Sequence, residues 1–203
     1  MQLVIKAERF RRKWKYLLLL LITVASLWIG EFKRPLWAQS EPVEVANAWQ
    51  HASFPVENFQ GYTSPYGYRI HPTTGKRQFH RGLDIAAPIG SYVRNWWAGQ
   101  IVSVSDNTPC GTTIKIQSGQ WQHVYCHLDG HVETSANGRY VIDHDGGVQM
   151  WEGQQVPAGT RIGRIGMTGR TTGPHRHWGL MYAGNDVDPA LVLQEMFTQQ
   201  ARS

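Results

Sequence analysis

The sequence predicts a mostly β domain from residue 61 to residue 203. Glycine and proline interrupt short runs of β-branched and aromatic residues at close spacing, and one segment near the end has a helical pattern. The predicted strands lie in the runs YVRNWWAGQIVSVSD, TTIKIQS, WQHVYCHL, TRIGRIGMTG and HRHWGLMYAG. The run DVDPALVLQEMFTQQ predicts one short closing helix, with Asp188 as its N-cap and Pro189 in its first turn.

Residues 1–38 are predicted to be a signal peptide or an N-terminal membrane anchor. A basic opening precedes an apolar run from Leu17 to Gly30, which is shorter than the ~20 residues of a spanning helix and is typical of a signal peptide. Cleavage is expected near Ala38, and an uncleaved anchor over residues 16–30 is the alternative. In both cases the preceding positive charges predict an exported chain, periplasmic or extracellular.

The charge balance argues against nucleic-acid binding. Residues 1–38 hold eight of the 20 Lys and Arg residues and two of the 15 acidic residues, which leaves 12 basic and 13 acidic residues in the remainder. The folded part therefore lacks the positive charge that nucleic-acid binding needs. We expect a monomer that meets a membrane only through its N-terminal segment, with residues 39–60 as a polar lead-in or linker.

Cys110 and Cys126 flank a predicted hairpin that turns at Ser118 and Gly119. Folding the chain there brings the two cysteines to nearly opposite positions, and export favours oxidation. A disulfide is therefore predicted. Two buried thiols are the alternative, and Cys126 as a metal ligand is disfavoured because strand alternation turns it away from His127.

His175 and His177 lie one residue apart in the run TGPHRHWGL. In a strand both imidazoles would project from one face. Two neutral imidazoles on one face suit a metal ion, or one metal ligand beside an acid–base group. Two polar residues on the solvated face of a strand are the alternative.

His80 and Asp84 form a second cluster in the run HRGLDIAAP. A strand through LDIAAP would carry Asp84 between Leu83 and Ile85, and a carboxylate buried there needs a partner such as a cation. His80, at the end of the preceding loop, could converge on it. A surface histidine beside an unrelated turn aspartate is the alternative.

The run WQHVYCHL supplies a third cluster. Alternation predicts that His123, Tyr125 and His127 share one face, with one of these histidines reaching the site. A catalytic zinc keeps three protein ligands and one open position. That set would consist of His80, Asp84 and either His175 or His177.

In the spacing of these residues the chain resembles the LytM/lysostaphin-type zinc peptidases, family twenty-three of the metallopeptidases. The resemblance covers about residues 60–190 and rests on the runs SPYGYRIHPTTGKRQFHRGLDIAAPIGSYV, YCHL, GMTGRTTGPHRHWGL and VDP.

The resemblance implies zinc ligands at His80, Asp84 and His177 and catalytic histidines at His127 and His175. It implies a twisted antiparallel sheet with the site in a groove along it. The implied activity is that of a zinc-dependent endopeptidase, which hydrolyses peptide cross-links or stem peptides of bacterial peptidoglycan.

Two features depart from the family pattern. Arg176 stands where the family often has leucine, and alternation should turn it away from the metal. Residues 129–150 read as an insertion that forms an extra hairpin at the groove edge, and its His131 and His144 are expected to be solvated. A non-catalytic wall-binding module or an activator of another hydrolase is the alternative function, and a secreted domain with a structural metal is a third.

Overall fold

Short strands joined by tight turns make up most of the protein. A computed structural model describes residues 49–71 and 74–202. Along this part of the chain the elements are β1 (Gly61–Ser64), β2 (Gly67–Ile70), β3 (Arg77–His80), β4 (Leu83–Ala86), β5 (Tyr92–Arg94), β6 (Gly99–Ser105), β7 (Thr112–Ser118), β8 (Trp121–Leu128), β9 (His131–Ser135), β10 (Gly138–Asp143), β11 (Val148–Trp151), β12 (Gln155–Val156), β13 (Arg161–Arg164), β14 (Arg176–Tyr182), β15 (Asn185–Val187) and α1 (Pro189–Ala201). The predicted mostly β fold is confirmed.

An eight-stranded antiparallel sheet forms the centre of the fold. Its strands run in the order β1-β4-β14-β8-β7-β6-β12, and β15 pairs with the later residues of β14, beyond those that pair with β4. The core-facing residues of β7, β8 and β14 include Ile114, Ile116, Tyr125, Trp178 and Leu180, all fully buried. Because this packing fixes the register of the central strands, it also fixes which residues they present on the opposite face.

The predicted strand over residues 92–106 is two strands, β5 and β6. β5 pairs with β13 in a separate sheet, whereas β6 belongs to the main sheet. Between the two strands, the Asn95 backbone N–H donates to the Thr160 carbonyl at 2.8 Å, and its side-chain amide donates to the Val156 carbonyl at 2.9 Å. The chain bends here because this buried amide is bonded to a neighbouring loop instead of a sheet partner.

The closing helix α1 forms as predicted. The Asp188 carboxylate accepts a hydrogen bond from the Ala190 N–H at 2.9 Å, and Pro189 occupies the first turn. The helix buries Val192, Leu193 and Met196. The N-cap carboxylate accepts from one backbone N–H of the first turn, and the proline there has no N–H to satisfy. The apolar side chains pack the helix against the core.

Residues 129–150 contribute most of a separate three-stranded sheet, β9-β10-β11. Arg164 on β13 ties it to the rest of the fold, since its guanidinium donates to Asp143 at 2.6 Å and to Asp129 at 3.1 Å. Asp143 is 3% exposed, so this ion pair is largely shielded from water. The insertion thus contains the predicted hairpin, β9 and β10, and adds β11 to it as a third strand.

The second half of the predicted lead-in packs on the domain. The Trp49 ring lies 5.6 Å from that of Trp96 and 5.5 Å from that of Trp121, and the Ser53 N–H donates to the Trp96 carbonyl at 2.8 Å. The predicted signal or anchor, residues 1–38, lies outside the described residues. Within residues 49–71 and 74–202, no helix combines the length and the apolar content needed to cross a membrane.

Candidate active site

Two of the predicted metal ligands lie opposite each other on paired strands. Asp84 on β4 is the register partner of His177 on β14. His80 ends β3, where it pairs with Gly67 of β2, so the β2–β3 hairpin delivers it to the same place. Three separate stretches of sequence thus meet at one point on the sheet.

The donor atoms of these three residues converge. His80 Nε2 lies 2.9 Å from His177 Nδ1 and 3.1 Å from Asp84 Oδ1, and His177 Nδ1 lies 2.8 Å from the same carboxylate oxygen. His80 Nδ1 is 2.8 Å from the Pro65 carbonyl oxygen, which can only accept, so the ring proton sits on Nδ1 and Nε2 offers its lone pair.

Lone pairs that face one another need a proton or a cation between them, and two imidazoles with one carboxylate are a common catalytic zinc set. Within the described residues, His80, Asp84 and His177 are the one group of three or more such side chains that could hold a metal ion.

The protonation states also suit metal binding. Burial opposes ionisation of Asp84, but close contacts with His177 and His80 favour the charged form and hold the pKa of this carboxyl well below its usual range. Burial lowers the pKa of His177. An anionic carboxylate and a neutral imidazole are the forms that ligate metals.

Gly82 allows His177 to take its position. A Cβ atom at Gly82 would lie 2.6 Å from His177 Cε1 and 2.8 Å from His177 Nε2. The imidazole therefore packs directly against the backbone between His80 and Asp84, and any side chain at Gly82 would displace it.

His175 precedes β14 and faces the same cavity as His177. Its Nδ1 lies 2.8 Å from the Gly173 carbonyl oxygen and 3.2 Å from Thr171 Oγ1, and its Nε2 lies 3.7 Å from Asp84 Oδ1. The carbonyl fixes the proton on Nδ1, so Nε2 points its lone pair toward the site. Both histidines of the pair line one cavity, although His175 lies just outside the strand.

His127 reaches the cavity through a β-bulge, which the alternation argument did not foresee. Ile114 of β7 opposes Tyr125, but Thr112 opposes Leu128, so β8 carries one extra residue between these pairs. His127 adopts a left-handed φ of 54° at this point. A bulge resets the alternation of side chains.

The prediction that His123, Tyr125 and His127 share one face is consequently wrong. His123 and Tyr125 are fully buried on the core side, where the His123 ring lies 5.1 Å from that of Trp96. Only His127 turns to the cavity, with its ring centroid 5.0 Å from that of His175.

A backbone carbonyl orients His127 as well. Its Nδ1 lies 2.9 Å from the Thr168 carbonyl oxygen, which leaves Nε2 as a hydrogen-bond acceptor. Burial lowers the pKa of His127 to about 4, so the ring is neutral near pH 7. His127 and His175 therefore present two oriented acceptor nitrogens beside the predicted metal ligands.

The predicted disulfide is present between Cys110 and Cys126, whose Cα atoms are 4.8 Å apart. Cys126 immediately precedes His127, and the His127 N–H donates to the Cys110 carbonyl at 2.7 Å. The bond thus joins the bulge to the loop before β7. With Cys126 in this bond, it does not serve as a metal ligand.

Arg176 points away from the site, as predicted. It is fully buried, with its guanidinium carbon 4.7 Å from the centre of the Tyr125 ring. Its Nη1 donates to the Cys126 carbonyl and its Nη2 to the Val124 carbonyl at 3.4 Å. Burial lowers the pKa of Arg176 to about 9.

All five predicted site residues line one cavity of about 780 Å³: His80, Asp84, His127, His175 and His177. A second cavity of about 620 Å³ adjoins it past Cys110 and is lined partly by Val124 and Leu180. No residue of the 129–150 insertion is among the lining residues of either cavity, so the insertion does not form the groove edge there. His131 and His144 lie outside the metal-ligand group.

Sequence reasoning missed three residues at the site. Arg69 Nη2 lies 3.4 Å from Asp84 Oδ2, the carbonyl of Thr168 orients His127, and Arg170 lines the cavity. All three lie within the runs that carry the family resemblance. Their positions depend on how a hairpin and a loop fold, which residue type alone does not reveal.

Comparison with known proteins agrees with this geometry. The model of Peptidase family M23 matches residues 78–189, and the peptidoglycan DD-endopeptidase ShyA of Vibrio cholerae is 33% identical over 121 residues, which are 59% of this chain and 24% of ShyA. The chain spans about a quarter of the length of the curated relatives it matches.

Two solved structures share the fold. A zinc-containing peptidase from Vibrio cholerae has a TM-score of 0.52 and 30% identity, over 66% of this chain and 37% of that one. The catalytic domain of lysostaphin from Staphylococcus simulans has a TM-score of 0.50 and 24% identity, over 73% of this chain and 97% of that one. The resemblance inferred from the motifs is confirmed: the chain belongs to peptidase family M23.

Proposed function

We propose that this chain is a zinc-dependent endopeptidase that hydrolyses peptide cross-links or stem peptides of bacterial peptidoglycan. The observation that carries the proposal is the convergence of three ligand atoms and two carbonyl-oriented imidazoles on one cavity. A wall-binding module would need the cavity but not this arrangement of donors and acceptors.

His80, Asp84 and His177 would hold the zinc ion. Their lone pairs already face one point, and three protein ligands leave a coordination position open, as in catalytic rather than structural zinc sites. Bound zinc supplies a Lewis acid that polarises a peptide carbonyl and makes water more acidic.

His127 and His175 would act as the general acid–base groups. Each holds its own proton on Nδ1 against a backbone carbonyl, so each Nε2 can position a water molecule and accept a proton from it. The imidazolium formed in this way can then donate to the developing oxyanion or to the leaving amine.

The named activity of ShyA, a peptidoglycan DD-endopeptidase, supports peptidoglycan peptides as the substrate class. Such a substrate lies outside the cytoplasm, in agreement with the export predicted for residues 1–38.

The test is incubation of the zinc-loaded protein with purified peptidoglycan and mass analysis of the released muropeptides. We expect dimeric muropeptides or stem peptides to be cut, and expect a chelator or the variant His177→Ala to abolish the cleavage. The variant His131→Ala, which changes an exposed histidine outside the site, is the matched control. Binding to the wall without cleavage, by protein shown to contain zinc, would favour the wall-binding alternative.

Export has its own test. We propose cleavage near Ala38, and the intact mass of protein recovered from outside the cytoplasm measures it. A mass that still includes residues 1–38 would identify the segment as an anchor.

A further inference from the structure

The cavity that holds the site carries more positive than negative side chains. Three arginines line it, Arg69, Arg81 and Arg170, whereas Asp84 is its one acidic lining residue among those described. A bound divalent cation would add further positive charge. The field in this cavity therefore favours an anionic ligand.

Two of these arginines already have acidic partners. Arg69 contacts Asp84 Oδ2 at 3.4 Å, and Arg81 contacts Asp186 at 2.9 Å. Arg170 is exposed and has no acidic partner within residues 49–71 and 74–202. Its guanidinium is consequently free to bind a group that enters the cavity.

The backbone that carries Arg170 is firmly held. The Arg170 N–H donates to the Pro109 carbonyl at 2.8 Å, and Thr168 Oγ1 accepts from the Thr112 N–H at 2.9 Å. A Cβ atom at Gly169 would collide with the backbone of Gly111, so the two loops touch directly. Only the side chain would need to become ordered on binding, which keeps the entropic cost low.

A guanidinium presents paired N–H donors that match the two oxygens of a carboxylate. We propose that Arg170 binds a free carboxylate of the substrate near the scissile bond, and thereby selects acidic stem peptides over neutral bridges such as oligoglycine. Arg69 contributes positive charge to the same cavity but remains engaged with Asp84.

This inference rests on the proposed peptidase function and names the feature of the peptide that the site recognises. Its test uses two synthetic cross-linked stem peptides that differ in one respect: the carboxyl groups flanking the scissile bond are free in one and carboxamides in the other. The zinc-loaded wild-type protein is compared with Arg170→Gln, Arg170→Lys and the control Arg202→Gln, which changes an arginine in the C-cap of α1.

We expect wild type to prefer the free carboxylate by about 10- to 100-fold in kcat/KM, the range of a hydrogen-bonded charge pair. Arg170→Gln should remove most of this preference, because kcat/KM should fall more on the free carboxylate, which loses its charge pair, than on the carboxamide. Arg170→Lys should keep part of the preference, and Arg202→Gln should keep all of it.

Equal rates of wild type on the two peptides, or an equal loss on both in Arg170→Gln, would overturn the inference. Binding of the same peptides to His127→Ala, with and without Arg170→Gln, gives a second ratio that does not need turnover. If wild type cleaves neither peptide, the proposed function fails for these substrates, and the binding ratio still decides whether Arg170 recognises the carboxylate.

Discussion

The proposed metal ligands and the proposed catalytic histidines are positioned by different kinds of backbone. Asp84 and His177 lie opposite each other in regular antiparallel register, and His80 closes a hairpin beside them. His127 instead sits at a bulge with a positive φ, and His175 ends a loop just before β14.

The supporting contacts differ in the same way. The ligands touch one another, whereas His127 and His175 are each oriented by a carbonyl from an irregular segment, Thr168 and Gly173. Regular pairing suits a metal, since ligand separation must be fixed. Irregular backbone suits a proton-transfer group, since it can direct an imidazole nitrogen toward a position that side chains in regular strand alternation do not reach.

The largest effect is expected from the three residues that regular strand pairing positions. Substitution of His80, Asp84 or His177 by alanine should reduce bound zinc and peptidoglycan hydrolysis together to background. The loss of zinc affinity should exceed the about 10- to 100-fold typical of losing an outer-shell partner. Metal analysis of the purified variants beside their hydrolysis rates measures both. Zinc kept by His177→Ala but lost by His175→Ala would exchange the roles of these two residues.

Variants of the two histidines on irregular backbone should lose turnover without losing bound metal. His127→Ala and His175→Ala are expected to keep zinc but to lose about 100- to 10,000-fold in kcat, the contribution of a positioned acid–base group. Zinc content and steady-state rates on one soluble substrate test this. If either variant loses its zinc, the division between these two histidines and the three proposed ligands fails.

Loss of the disulfide should displace the bulge that carries His127 but leave the proposed zinc ligands in place. Replacing both Cys110 and Cys126 by serine should lower the free energy of unfolding by about 3 kcal/mol, as for a loop of this length. We also expect about a tenfold fall in kcat with zinc retained, since a small misplacement of a catalytic group costs rate. Chemical denaturation, metal analysis and kinetics well below the unfolding temperature measure the three quantities.

Reductant added to the wild-type protein should reproduce the fall in kcat. An unchanged kcat in the reduced protein would mean that the contact with Thr168 alone holds His127.

The smallest effect on catalysis is expected at His123, the other histidine of β8. Burial lowers its pKa to about 3, whereas in the unfolded chain it is about 6.5. Between these values the unfolded chain binds a proton that the folded one excludes. This contribution to stability is therefore complete above about pH 6.5 and is lost as the pH falls, by up to about 1.4 kcal/mol per pH unit.

His123→Leu should flatten the acid side of the stability profile and leave kcat unchanged. The substitution would remove the contact of His123 Nδ1 with the Tyr125 hydroxyl at 3.3 Å. The hydroxyl would keep two other partners, since it donates to Asn95 Oδ1 at 3.2 Å and accepts from the Trp96 N–H at 2.8 Å. Denaturant unfolding across pH 4 to 7 (about the window in which His123 titrates in the unfolded chain) measures the slope, with the exposed His131→Leu as control. An unchanged slope in His123→Leu would show that other groups set the acid limit.

The division between regular and irregular backbone also explains what the sequence could predict. The fold class, the closing helix, the disulfide and the placement of Asp84 in a strand followed from composition, spacing and alternation. Alternation failed at His127 because an inserted residue at a bulge depends on pairing with β7, which lies outside the run WQHVYCHL. It failed to split β5 from β6 because Asn95 is bonded to Val156, 61 residues later in the sequence.

Arg69 and Arg170 were missed for a related reason. Their residue type indicates a charge but not its location, which the β2–β3 hairpin and the loop before β14 determine. The assignment of His127 and His175 as the catalytic pair came from the family resemblance and remains a prediction until the variants are measured.

The burial of Arg176 has a consequence for substitutions at this position. Its guanidinium stacks on Tyr125 and donates to two carbonyls of β8, one of them that of Cys126, next to the bulge. Leucine at this position would remove both donors and leave the two carbonyls without these partners. A substitution of Arg176 alone should therefore cost stability, and the effect of any residue at position 176 should depend on the residues of β8 that it contacts.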